Sequence, residues 1–286
     1  MRSANHDDDG QYKVDAAWPK SEPTVAQDCI EQLVKLSTSS RASAFHGAYK
    51  DWGCIRSSFD LLFEGKDASC QQRAELETQL LESFVKDADP HFSAGDRRHI
   101  ELARLRWATL RNTGTLYVGR HHGLPTRCVD WTSKPLVGLF FCCRRCLKEP
   151  GVVWWMDLKC FEETLKHQWK AVYGKDGHVE DLIEQDFISG QEKEVFTSLY
   201  YPDFMERPEK QRAWITFALQ YDVRHDQAIH KLGVSNCGRL VVKAEFKHDV
   251  LRELDRMGVN GPSLGLGEAC VDTIAEDVAQ NAARPT

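Results

Sequence analysis

A chain of 286 residues, 42% hydrophobic and 28% charged, carries enough apolar content to bury a core without disulfides or a structural metal. A formal net charge of −6 and a pI near 6.0 exclude a generally basic nucleic-acid binder, leaving room only for a local basic patch. No apolar run of ~18 residues is present to span a membrane, and the polar opening MRSANHDDDGQYKVD has no signal-peptide core, so a cytoplasmic protein without membrane contact is expected.

Residues 1–22 are poor in apolar side chains and include Asp7-Asp8-Asp9, which predicts a mobile tail ahead of one domain over 23–286. From Thr24 to Leu36 apolar residues recur at helical spacing, with Thr24 as the expected cap. Ala42 to Asp51 reads as a strand turning at Gly47. Leu76, Leu80, Leu81 and Phe84 form the apolar face of a helix over 71–88, ended by Pro90, and a further helix is expected over 99–112. Gly123, Pro125 and Pro135 predict an ordered loop from Arg120, followed by a buried helix over 136–147 and a buried strand over 151–158. The polar stretch 166–194 resists assignment. Strands are expected within 197–204, 212–221 and 239–246, and a closing helix over 248–258 with Gly258 as its left-handed cap. Helices and strands mix without regular alternation, which predicts an α+β fold rather than a doubly wound sheet.

The ten cysteines are scattered except for Cys142, Cys143 and Cys146, which lie on one expected helix and have no second pair at ligand distance. Reduced thiols and no bound metal are therefore expected.

Chemistry concentrates between Arg120 and Ser133. Arg120, His121, His122 and Gly123 combine a cation, two titratable rings and a residue that permits close backbone approach. Thr126, Arg127, Asp130, Trp131, Thr132 and Ser133 add a second cation, a carboxylate, an aromatic face and hydroxyls. Such a set suits a phosphate-bearing ligand, since arginine offers paired donors and tryptophan a stacking face. In an extended loop the two histidines point apart, so at most one of them is expected to face a ligand. A structural reading exists beside this one: Arg127 and Asp130 as an internal ion pair, with Thr132 or Ser133 capping the next helix. Phe45-His46-Gly47 is a second, weaker candidate.

The run His121-His122-Gly123-Leu124-Pro125-Thr126-Arg127, with Asp130-Trp131-Thr132-Ser133 and Pro135-Leu136-Val137, closely resembles the central motif of the FRG-domain family, which reads HHGLPTRLLDWT ahead of an apolar helix. The triplet that names the family, Phe-Arg-Gly, stands here as Phe45-His46-Gly47; Trp52, the Ser57–Asp60 segment, Arg207 and Gln211 also fit. The resemblance extends over roughly residues 25 to 280. A weaker similarity is to ADP-ribosyltransferases, which open an NAD site with a His-Gly or Arg strand, follow it with a Ser-Thr-Ser strand, and place a Glu or Gln on a late strand. This likeness implies NAD as substrate, His46, Thr132, Ser133 and Glu209 or Gln211 as catalytic candidates, and His122 and Asp130 acting on the acceptor. Phe45, Gly47, Tyr49, Arg120, His121, Gly123, Thr126, Arg127 and Trp131 would then line the NAD site. It further implies a toxin or phage-defence effector with a macromolecular acceptor (RNA, DNA or protein) and an antitoxin partner. Two other readings stand beside it. One is a nuclease built on His121, His122 and Asp130; the other is a nucleotide- or RNA-binding module without catalysis.

Overall fold

The computed structural model describes residues 13–39, 42–106, 113–174, 195–200, 205–266 and, near the end, 272, 274, 275 and 278. Seven strands form one sheet: β1 (Lys20–Ser21), β2 (Ala44–Ala48), β3 (Val129–Thr132), β4 (Gly151–Met156), β5 (Phe196–Tyr200), β6 (Ala213–Ala218) and β7 (Cys237–Val242). Their order is β1-β7-β4-β2-β3-β6-β5, with β1 parallel to β7 and every other pairing antiparallel. The fold is α+β, with a mixed, mainly antiparallel sheet and flanking helices.

Side chains alternate across this sheet, and both faces are covered. Ala44, Trp131, Trp154, Trp214 and Val241 point to one face, against Phe161 and Leu165 of α8 (Leu158–Tyr173) and Ile229 of α10 (His225–Lys231). On the other face Phe45, Val153 and Leu240 meet α2 (Ala26–Thr38), α7 (Pro135–Cys143) and α11 (Lys247–Arg256). Further along that face Ile215 and Phe217 pack on α4 (Cys70–Ala88) and α6 (Thr113–His121). Burial on both sides explains why Gly151–Met156 is a continuous apolar run rather than an alternating one.

Several expectations are adjusted. Residues 1–12 of the expected tail lie outside the described residues, but 13–22 carry the short helix α1 (Val14–Ala17) and strand β1, with Trp18 fully buried against Trp154. Thr24 does not cap α2; Val25 holds that position, and the Thr24 hydroxyl bonds the Asp28 carboxylate instead. β2 does not turn at Gly47, because all five of its residues pair with β4. Helix α7 crosses directly over Gly47, where a Cβ would stand 1.9 Å from the Gly138 carbonyl oxygen, so glycine serves helix–strand contact there. β4 stops at Met156 because the Asp157 carboxylate accepts from the Lys159 and Cys160 amides and starts α8. The helix expected over 99–112 is observed as α5 (Ala94–Arg106), and 107–112 lie outside the described residues, as do 175–194 of the unassigned stretch. Gly258 adopts φ +77° at the end of α11, as expected. Among the described residues no helix is long and apolar enough to cross a membrane.

Candidate active site where two strands part

The first half of the motif is helical. Arg120 and His121 form the last turn of α6, and Gly123, at φ +95°, ends it through Gly123 N–H to Arg120 O (3.0 Å) and Leu124 N–H to Gly119 O (2.8 Å). The extended-loop expectation for the two histidines is thus corrected: their rings lie 5.2 Å apart at 75°, in one neighbourhood. The positive φ of Gly123 serves helix termination.

The second half is strand β3, in the interior of the sheet between β2 and β6. β2 and β4 share five paired positions, whereas β2 and β3 share only Phe45↔Thr132. Beyond that pair the strands part, and His46 reaches across the gap. Its Nδ1 lies 2.8 Å from the Asp130 backbone oxygen. Burial pushes its pKa down to about 4, so the ring is neutral near pH 7. A neutral ring bonded to a carbonyl must donate from Nδ1, which leaves Nε2 with its lone pair as an acceptor. The Asp130 carboxylate holds Arg120 through Nε and Nη2, both at 2.6 Å, and Arg120 Nη1 donates to Ser58 Oγ at 2.8 Å. Ser58 belongs to α3 (Ser58–Leu61), whose cap is the Ser57 hydroxyl. His46 is half-buried, while the Asp130 and Arg120 side chains keep 40% and 18% of their surface exposed. The gap between the strands thus has a neutral imidazole acceptor on the Trp131 face of the sheet and a guanidinium–carboxylate pair on the opposite face, groups suited to a hydroxyl and to an anion.

Other expected site residues are turned inward. Phe45 is core. Trp131 stacks on Trp214 at 5.7 Å and donates its indole N–H to Thr216 Oγ1, so its face is covered by protein. Arg127 pairs with Glu77, Nη2 to Oε2 at 2.6 Å and Nε to Oε2 at 3.0 Å, and also donates to the Leu219 carbonyl and the Tyr221 hydroxyl. The internal pairs are therefore Arg127–Glu77 and Arg120–Asp130, not Arg127–Asp130. Burial disfavours the Arg127 cation, but the Glu77 charge outweighs it and its pKa is raised. Thr126 is buried and accepts from the Cys128 amide at 3.4 Å. Tyr49 rests edge-on against Trp52, and its carbonyl accepts from the buried Lys247 ammonium at 2.6 Å.

Thr132 is buried; its hydroxyl donates to the Gln211 carbonyl at 2.5 Å and accepts from the Lys134 amide at 3.0 Å, while Ser133 is exposed. Neither hydroxyl caps α7, which begins at Pro135 with no side-chain cap. Glu209 and Gln211 are not on a late strand. They lie on the short helix α9 (Glu206–Gln211), which leads into β6; Glu209 is exposed and Gln211 is buried, donating to the Leu264 carbonyl at 2.9 Å.

His122 joins a different cluster. Its Nδ1 is 2.6 Å from Asp272 and its Nε2 3.4 Å from Asp96, and Arg207 donates to both Asp272 oxygens at 2.8 and 2.9 Å. Burial works against the imidazolium, but hydrogen bonds to Asp272 and Asp96 prevail and its pKa is raised. Burial would also raise Asp96, yet bonds from His122 and Ser93 hold it at about 2. Buried His121, beside the Arg207 and His122 charges, is pushed well below the usual histidine range. The nuclease grouping of His121, His122 and Asp130 is not assembled around one point, since His122 and Asp130 have separate carboxylate and guanidinium partners. Among the described residues no group of three or more His, Cys, Asp or Glu side chains is arranged to hold a metal ion.

Sequence reading assigns no site role to Glu77, Asp96, Thr216, His225 or Lys247. No local pattern marks them for one, and the tertiary structure supplies partners such as Arg127 for Glu77 and His122 for Asp96. The whole defines an α+β protein whose polar motif is half buried scaffold and half open cluster, set around one strand of the sheet. Residues 41–150, from just before β2 to just before β4, match the family model of the FRG domain. No curated protein and no solved structure matches the chain.

Proposed function

We propose that this protein is an NAD-consuming enzyme of the ADP-ribosyltransferase kind, acting at the mouth between β2 and β3. One observation carries the reading: the three segments which that resemblance singles out fall on or beside consecutive strands. His46-Gly47 is on β2, Thr132 on β3 paired to it, and Gln211 at the foot of β6, joined to Thr132 by a 2.5 Å hydrogen bond.

In this reading the neutral His46 Nε2 accepts a ribose hydroxyl, and Arg120, oriented by Asp130 and Ser58, faces the pyrophosphate. The C1′–N bond breaks with its electron pair going to nicotinamide, which leaves uncharged. Positive charge develops on the ribose, with Glu209 and Gln211 the candidates to stabilise it. An acceptor nucleophile then bonds C1′ and gives up a proton. Such a reaction suits a toxin or defence effector.

The test is incubation of purified protein with labelled NAD and total cell extract, followed by separation of RNA, DNA, protein and nicotinamide. Label on one macromolecular fraction, reduced about a hundredfold or more by His46→Ala and by Arg120→Ala, is the expected result. Tight NAD binding without turnover would replace the enzyme with a nucleotide-binding module, and no NAD binding at all would sink both.

A further inference from the structure

Behind His46 lies a chain of buried polar groups that the proposed reaction does not use. The Trp131 indole N–H donates to Thr216 Oγ1 at 3.0 Å, and Thr216 Oγ1 lies 3.0 Å from His225 Nδ1. Thr216 and His225 are both buried, and so is Trp131, whose ring centroid is 5.7 Å from that of His46. Burial drives the His225 pKa down to about 3, with the His46 and Arg120 charges pushing the same way and a bond to the Arg127 backbone opposing. The ring is therefore neutral and carries one proton. The bond to the Arg127 carbonyl calls for that proton; with it on Nε2, Nδ1 is an acceptor and the Thr216 hydroxyl, which accepts from the indole through one lone pair, donates to it. Two neutral histidines thus grip the motif backbone, His225 at Arg127 and His46 at Asp130.

The surroundings make this arrangement costly and therefore informative. Thr216 stands on β6 between Trp214 and Ala218, whose side chains point to the same apolar face. A valine there would fill the same volume without a polar group to satisfy. The chain fixes the plane of Trp131, and Trp131 forms one wall against which the His46 ring rests.

We infer that Thr216 and His225 are positioning residues for His46, holding Trp131 so that the imidazole keeps its Nδ1 bond to the Asp130 carbonyl and offers its Nε2 lone pair to a ligand. The role rests on the proposed function, but its structural part can be read without any activity. The charged and titratable groups that face His46 are Arg120, Asp130 and His225. Arg120 and Asp130 are left unaltered by a change at Thr216, while His225 loses its hydroxyl partner, so the His225 resonance is followed beside that of His46.

The experiment is the titration of the His46 ring carbon-bound proton by NMR in wild type, Thr216→Val and Thr216→Ser, with His46→Gln assigning the resonance. Removing the hydroxyl frees the indole and admits water, so in Thr216→Val the midpoint should rise from about 4 toward the ordinary histidine value. Thr216→Ser, which keeps the hydroxyl, should restore it. Parallel NAD assays should show kcat down about tenfold in Thr216→Val with KM unchanged, again rescued by serine. An unshifted His46 midpoint in Thr216→Val would overturn the inference, and so would a serine variant that behaves like valine. If wild-type protein consumes no NAD while the midpoint shifts as expected, positioning stands and the proposed reaction falls.

Discussion

A methyl group added at Gly47 would have nowhere to go, because the atoms it meets are backbone: the Gly138 carbonyl oxygen at 1.9 Å and the Cys142 nitrogen at 2.8 Å. Gly47→Ala must push α7 off the sheet, and such overpacking costs typically 1–3 kcal/mol and sometimes more. A fall of that size in unfolding free energy by urea titration is expected; a wild-type midpoint would show that α7 yields freely. Arg127 supplies a second case. Its guanidinium is buried with Glu77, the Leu219 carbonyl and Tyr221, so Glu77→Leu leaves a cation without its counter-charge. Removing one member of a buried pair costs about 3–5 kcal/mol, and Glu77→Leu should therefore lower the urea midpoint sharply. Replacing Arg127 and Glu77 together with apolar residues should recover part of the loss; equal damage from single and double variants would count against the pair as the cause.

At the scale of elements, α6 shows where local sequence and tertiary structure disagree. Thr113-Gly114-Thr115 and Gly119 are weak helix formers, yet the segment is helical because Leu116, Tyr117 and Val118 are buried among α4, Ile215 and Phe217. Gly119 lets Leu124 fold back over it, since a Cβ would stand 2.9 Å from Leu124 Cδ2. The helix then depends on Gly123 to end it, and Gly123→Ala should destabilise by about 1 kcal/mol because an alanine pays to hold φ +95°. Circular dichroism melts would read this, and an unchanged Tm would mean that the turn relaxes at no cost. Elements with strong periodicity or punctuation were legible without coordinates: α4 with Leu80 and Phe84, the buried run of β4, and Gly258 after α11. β3 was not, because its four residues include an aspartate and follow a proline-glycine stretch. Its interior place comes only from pairing with β2 and β6. The site was legible by residue type but not by role. Charge and hydroxyl content located Arg120–Ser133; which arginine faces outward was decided by Glu77, a residue far away in the chain that no local pattern marks.

For the whole molecule, the histidines make stability a function of pH with two unequal limbs. Burial depresses His46 and His99 to about 4 and His225 to about 3, and holds His121 well below its ordinary value. A group with a depressed folded pKa binds its proton more readily when unfolded, so these four contribute fully above about 6.5 and lose ground as pH falls from there. His122 runs the other way. Its folded pKa is raised by Asp272 and Asp96, so its contribution is complete below about 6.5 and fades as pH climbs through the raised value. Each histidine changes stability by at most about 1.4 kcal/mol per pH unit. Four depressed groups against one raised group predict a maximum near neutrality with a steeper acid limb. Keeping the measurement above pH 5 excludes Asp96, whose contribution is lost only as pH falls from its ordinary carboxylate value toward about 2. Urea midpoints between pH 5 and 8.5 should therefore fall faster on the acid side. His122→Gln should flatten the alkaline limb while leaving the acid limb in place. A flat profile between pH 6.5 and 5 would mean that these rings are not held neutral, and the assignment of His46 as an acceptor at its Nε2 would go with it.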